Sequence, residues 1–173
     1  MRTLFNARFW LALTLVIVGV VLRVMPHPWN FAPIGAIALF GGARFDRRYF
    51  AIGIPLLTMF VGDIFVGFHS LMPAIYATYA LIAVIGMFLR DRTTIPAVAG
   101  GVLLSSTIFY LTTNFAVWEM GTTYAKNAAG LLACYIAAIP YFGNTLASDA
   151  LYSAIFFGIF ALAERRIPAF ARP

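Results

Sequence analysis

Of the 173 residues, 62% are hydrophobic and 10% charged, whereas a soluble domain keeps roughly a quarter of its residues charged. The composition excludes a water-soluble globular domain and leaves room for about six spans of ~20 residues joined by short loops, one domain over residues 1–173. The net charge of +6 does not signal nucleic acid: eleven of the twelve basic residues are arginines flanking apolar runs, with no basic run and no nucleic-acid motif.

The first apolar span is expected over Phe9–Val24. Its leading segment, with Arg2 and Arg8, resembles a signal peptide, but Arg23 interrupts the end and no small-x-small cleavage site follows, so it reads as an uncleaved span. Pro26, Pro28 and Trp29 mark an interface. The second span, Phe31–Ala43, has Asn30 as a candidate cap and Pro33 in its first turn. It rises only ~20 Å against a ~30 Å hydrocarbon layer, so it needs shelter from neighbours or a thinned site. Arg44, Asp46, Arg47 and Arg48 end it. The third span is Tyr49–Val66, with a tight turn at Gly67-Phe68-His69-Ser70. The fourth is Leu71–Leu89, ended by Arg90-Asp91-Arg92. The fifth is Ile95–Ala116, followed by a polar loop from Trp118 to Asn127.

The last apolar stretch, Leu131–Ala163, carries Pro140 and Gly143 and is too long for one span. Either the piece before Pro140 is a re-entrant or interfacial helix and only Thr145–Ala163 crosses, or both pieces cross. Six crossings from an inside N-terminus put Arg2, Arg8, Arg44, Arg47, Arg48, Arg90, Arg92, Arg165, Arg166 and Arg172 on the cytoplasmic side, and only Arg23 and Lys126 opposite. A seventh crossing would move Arg165, Arg166 and Arg172 outside. The expected fold is an all-α bundle of six transmembrane helices, both termini cytoplasmic, with the re-entrant or interfacial helix before the last span. The expected location is a bacterial inner membrane.

This topology separates the polar side chains by depth. The cytoplasmic halves (Ile37–Ala43, Tyr49–Leu57, Ile82–Leu89, Ile95–Leu104, Ile155–Ala163) contain one polar side chain, Tyr49. The outer halves carry Arg23, Asp63, Tyr76, Thr78, Tyr79, Thr107, Tyr110, Thr112, Thr113, Asn114, Ser148, Asp149 and Tyr152, and the outer loops add Asn30, His69, Trp118, Glu119, Lys126 and Asn144. Arg23 and Asp63 each lie fourteen residues past the inner start of their span, ~21 Å up, with Asp149 at similar depth. A charge left facing lipid costs roughly 2.5–3.5 kcal/mol or more, so these groups face the interior, water or one another. Arg23 paired with Asp63 would pin two helices, and one Arg cannot neutralise two carboxylates. The remaining carboxylate would line a pocket open to the periplasm. A channel needs polar lining throughout; a polar outer half over an apolar inner half describes a cup instead. Asn30, Asp63, His69, Tyr76, Asn114, Trp118, Asn144 and Asp149 are the candidate ligand-binding residues.

Catalytic and metal signatures point elsewhere. There is no Walker-type loop, and Lys126 is the only lysine. His27 and His69 lack metal spacing, Phe60-Val61-Gly62-Asp63 lacks the first glycine of an intramembrane aspartyl protease motif, and Cys134 reads as packing. No catalytic residue, metal or cofactor is expected. The pairs Ala32/Ala36, Ala38/Gly42 and Ala97/Gly101 permit close helix contact, within the bundle or, for Ala97/Gly101, with another membrane subunit.

Asn30-Phe31-Ala32-Pro33-Ile34, Ala38 to Ala43, Gly62-Asp63, Gly67-Phe68-His69, Gly130-Leu131, Tyr135, Ile139 to Phe142, Ser148-Asp149 and Tyr152 together resemble a family of small bacterial membrane proteins of unknown function. In size, six spans and an outward cup, the chain also resembles the S components of energy-coupling-factor vitamin transporters. That second resemblance implies capture of a vitamin-like solute, with delivery by a separate transmembrane coupling subunit and ATPases. The chain departs from it in lacking an A-x-x-x-A docking pattern in Phe9–Val24. The functional expectation is a substrate-binding membrane protein for uptake of a small solute. The alternatives are a structural or assembly protein without a small ligand, or an intramembrane enzyme using Asp63 and Asp149.

Overall fold

A computed structural model describes residues 7–45 and 47–166; the expectations placed on Arg2, Asp46 and Arg172 lie outside these residues. All regular structure among them is helical: α1 (Ala7–Val24), α2 (Ile34–Arg44), α3 (Arg48–Val66), α4 (Met72–Met87), α5 (Ile95–Met120) and α6 (Ala128–Arg166). Local chemistry sets several ends. Pro73 and Pro96 open α4 and α5, where a missing N–H costs nothing. α3 stops at Gly67, whose φ of 104° suits glycine and whose N–H returns to the Asp63 carbonyl at 2.8 Å.

The helices alternate in direction. At one end, rich in arginine, Arg90 of the α4–α5 connection reaches the carbonyls of Gly42 (3.0 Å) and Phe45 (2.6 Å). Arg44 there bonds Glu164 (3.2 Å) and Thr93 (3.0 Å). At the opposite end Arg23 pairs with Asp63, and Asn144 of α6 donates to the Trp29 carbonyl at 2.9 Å. The surface between the ends is apolar: Phe60, Ile64, Leu104, Leu132 and Ile159 are each about half exposed or more, far more greasy surface than a soluble monomer shows.

The organising element is α2. Ten of its eleven residues, Ile34 to Ala43, are buried, enclosed by α3, α4, α5 and α6. Glycine makes the closest crossing possible: a Cβ on Gly42 would sit 2.8 Å from the Gly86 Cα, and one on Gly86 would sit 3.0 Å from the Gly42 Cα. The shelter that a ~16 Å helix requires is therefore supplied by its neighbours. Gly101 also packs inward, where a Cβ would meet Leu89 at 2.9 Å and Leu39 at 3.4 Å. Gly101 of the Ala97/Gly101 pair thus makes contact within the bundle.

Three expectations need correction. No separate re-entrant or interfacial helix precedes the last span, because α6 runs unbroken for 39 residues through Pro140 and Gly143. Proline leaves one carbonyl without its helical donor, whereas a break in apolar surroundings would strand several backbone groups at once. The N-terminal part of α6 is held against α5 by Tyr110 Oη on the Tyr135 carbonyl (2.6 Å) and Tyr135 Oη on the Leu111 carbonyl (2.8 Å). Second, α5 extends past Ala116 to Met120, so Trp118 is helical and not in the loop. Third, Asn30 does not cap α2. Pro33 occupies the cap position with no side-chain bond, and Asn30 instead takes a left-handed conformation (φ 61°) in the turn before it.

Of the six helices, Arg48–Val66, Ile95–Met120 and Ala128–Arg165 are long and apolar enough to cross a membrane. The other three are shorter apolar helices. Three helices able to span in this way point to membrane association.

Candidate functional site

A short helix in the middle of longer ones leaves a hollow beyond its end. α2 begins only at Ile34, while α3, α5 and α6 continue past that level. The space above its N-terminus is a cavity of about 530 Å³, lined by Arg23, Asn30, Gly35, His69, Tyr79 and Asp149 with apolar Met59, Ile75, Ile82 and Phe109. That volume falls within the range of small-molecule pockets. A second hollow of about 410 Å³ adjoins it, sharing Trp29, Asn30, Ile75 and Phe109, and reaches Asn114, Cys134 and Tyr141.

Asp149 forms the floor. Its side chain is 3% exposed and accepts from Ser106 Oγ at 2.8 Å and from the Ala36 backbone N–H. Ala36 lies in the first turn of α2, where N–H groups lack helical partners and the dipole favours negative charge. Asp149 therefore caps α2 from across the bundle, in place of the cap expected from Asn30. The approach requires glycine: a Cβ on Gly35 would come within 2.9 Å of the Asp149 carboxyl carbon. The adjacent Ser148 donates to the Ala32 carbonyl at 2.9 Å, so consecutive residues of α6 fix both the start of α2 and the turn leading into it.

Asp63 is fully buried and holds Arg23, whose side chain is 17% exposed. Its second oxygen accepts from Tyr76 Oη at 2.8 Å. Gly62 gives the arginine room, since a Cβ there would lie 2.6 Å from Arg23 Cδ. The two aspartates thus have separate partners: Asp63 faces a cation and a phenol, Asp149 a hydroxyl and a backbone amide. Among the described residues no cation pairs with Asp149, and no group of three His, Cys, Asp or Glu is placed to hold a metal.

The expected ligand-binding residues divide into four groups. Asn30, His69 and Asp149 line the larger cavity, with Arg23 of the expected ion pair. Asp63 and Tyr76 stand behind it, holding Arg23 in place. Asn114 lies in the second hollow, its Nδ2 on the Tyr110 carbonyl at 2.7 Å. Trp118 and Asn144 line neither hollow: Trp118 Nε1 donates to the Ala125 carbonyl at 2.8 Å, and Asn144 ties down Trp29. Reasoning from sequence missed Ser106, Gly35 and Thr145, and ranked Tyr79 only among the general polar residues. The signal for Ser106 was present in Ser105-Ser106-Thr107, a polar run inside an apolar helix.

Opposite this hollow the bundle is closed. Leu15, Ile37, Phe40, Ala43, Phe45, Ala51, Ile54, Phe157 and Phe160 form one buried cluster. At its centre Phe40 meets Phe156, Phe157 and Phe160 at ring separations of 6.0, 5.2 and 5.5 Å.

The model of a family of unknown function, DUF6580, matches residues 3–170, nearly the whole chain. The chain belongs to that family. Comparison with the curated proteins and with the solved structures gave no match. In this DUF6580 chain, then, the functional reading rests on the site: a half-polar hollow in the helical bundle, with one carboxylate matched to a cation and another left without one.

Proposed function

We propose that this protein crosses a bacterial inner membrane six times, with both termini cytoplasmic, and captures a small solute from the periplasmic side for uptake. The ten-to-two arginine and lysine split supports the orientation. α1 and α4 rise about 27 and 24 Å, slightly less than the hydrocarbon layer, and cross by local thinning; α2 crosses inside the protein wall. The observation that carries the reading is the pairing of a 530 Å³ hollow holding Arg23, Tyr79 and Asp149 with a phenylalanine plug beneath it. Such a cup admits a ligand from one side and offers no aqueous route onward. Release inward then requires a separate transmembrane coupling subunit with ATPases, as the architectural likeness to S components implies.

The test is a thermal-shift screen of vitamins and metabolites on the detergent-purified full chain. At least one compound should raise Tm, Tyr79→Ala should abolish the shift, and Trp118→Ala, outside both hollows, should keep it. A screen with no hit, or shifts indifferent to Tyr79→Ala, sinks the capture reading. Orientation is checked separately with Cys134→Ser protein carrying a single cysteine in place of Trp29 or Tyr49. A membrane-impermeant thiol reagent outside spheroplasts should label the first and spare the second; the reverse pattern refutes the topology.

A further inference from the structure

The proposal above leaves open what kind of molecule the cup holds, and the charges around it narrow the answer. Arg23 is engaged by Asp63, with Tyr76 completing the carboxylate. That pair contributes no net charge to the hollow. Asp149 contributes an acidic group, negative when ionised, that accepts from a hydroxyl and a backbone amide but is matched by no cation among the described residues. The remaining titratable groups on the lining are His27, His69 and Tyr79. His27 is exposed, its ring nitrogens beside the backbone carbonyls of Pro28 (2.8 Å) and Arg23 (3.1 Å), and His69 is likewise exposed; among the described residues neither is paired with Asp149. A buried carboxylate without a counter-ion is costly where the dielectric is low.

We infer that the solute is a small organic cation, a protonated amine or quaternary ammonium, seated with its charge on Asp149 and its body against Tyr79 and Phe109. The inference rests on the capture reading and specifies its ligand. The two rings stand 5.2 Å apart at 34° and border the same hollow as the carboxylate. Aromatic faces attract cations, and Met59, Ile75 and Ile82 supply the apolar remainder of the wall. A metal ion fits poorly, since no cluster of three metal-ligating side chains exists among the described residues. The helix terminus beneath Asp149 is itself satisfied by that carboxylate, so it is not an anion site awaiting a ligand.

Three molecules of nearly one shape and different charge make the test: 2-phenylethylamine, 2-phenylethanol and 3-phenylpropionate, titrated calorimetrically onto the full chain in detergent at neutral pH. The amine should bind at least tenfold more tightly than the alcohol and the acid. Asp149→Asn, which keeps an acceptor for the Ala36 N–H, should erase that preference. Ser106→Ala, which keeps the charge, should retain the preference. Tighter binding of the acid or alcohol, or an amine preference that survives in Asp149→Asn, overturns the cation assignment and leaves the capture reading standing. Binding of none of the three also overturns the assignment, and the metabolite screen then decides whether the capture reading falls with it. Should Asp149→Asn not fold, the order in which the unmodified protein binds the three probes decides the assignment alone.

Discussion

The two ends of the bundle are built from the same helices and behave as opposites. At the arginine-rich end, side chains fill the interior: Phe40 inserts among three other phenylalanine rings, while Arg44 and Arg90 lie across the helix ends and bond to backbone and side-chain oxygens. At the other end the helices around α2 outrun it, and polar groups line a hollow. The contrast comes from the length of one element. Had α2 begun two turns earlier, its own side chains would occupy the space that Asp149 and Tyr79 now border. A pocket in a helical bundle can thus be made by shortening a central helix and leaving the surrounding ones unchanged.

Removing charge balance at the open end should have the largest effect. Asp63→Asn leaves Arg23 with no counter-ion in a buried position, at a cost of about 3–5 kcal/mol, visible as a lower Tm in detergent and poor yield. The double variant Arg23→Met/Asp63→Leu should recover most of it, because a buried ion pair is replaceable by apolar groups of similar volume. If Asp63→Asn melts with the unmodified protein, the pair does not hold α1 to α3.

At the sealed end the expected loss is of the same order. Phe40→Ala removes a fully buried ring with its three ring pairs and leaves a cavity, at a cost of about 3–5 kcal/mol, a loss measurable by unfolding titration. It should leave solute binding affinity unchanged, because the plug lies outside the cavity lining. A change of binding larger than that of Tyr79→Ala would mean that the two ends are not independent. Smaller effects belong to the middle of the bundle. Gly42→Ala forces α2 away from α4 at a cost of about 1–3 kcal/mol. Gly53→Ala, where a Cβ meets nothing, should be neutral or stabilise α3 by up to about 1 kcal/mol. Equal effects at the two glycines would contradict the close crossing of α2 on α4.

Much of this architecture was legible in the residues. Six apolar segments bounded by arginines define six helices, and the shortness of Phe31–Ala43 already required that it be surrounded. The equal heights of Arg23 and Asp63 anticipated their contact, since two groups fourteen residues up neighbouring helices meet if their faces do. Height is only one coordinate, however. Asn114 shares the level of the other polar residues and lies in the neighbouring hollow, because the rotation of α5 about its own axis is set by partners distant in sequence. Pro140 shows the same limit. A local breaker suggests a break, but α6 is supported along its length by α5, and in apolar surroundings one lost hydrogen bond costs less than an interrupted helix. Ser106, just beyond the apolar stretch Ile95–Leu104, was not singled out because nothing in α5 alone says which hydroxyl will meet a carboxylate 43 positions away.

The manner in which α2 is held bears on how the chain is assembled. The groups that terminate this helix come from elsewhere: Arg90 at its C-terminal end, and Asp149 with Ser148, 116 positions beyond Ala32, at its start. During synthesis α2 emerges second and its last fastening emerges with the sixth helix. Until then α2 can pack on α3, α4 and α5, but the Ala36 N–H in its first turn lacks the carboxylate that meets it. The hollow is therefore completed only when the final helix arrives, and a chain truncated before Ser148 would have its walls without its floor.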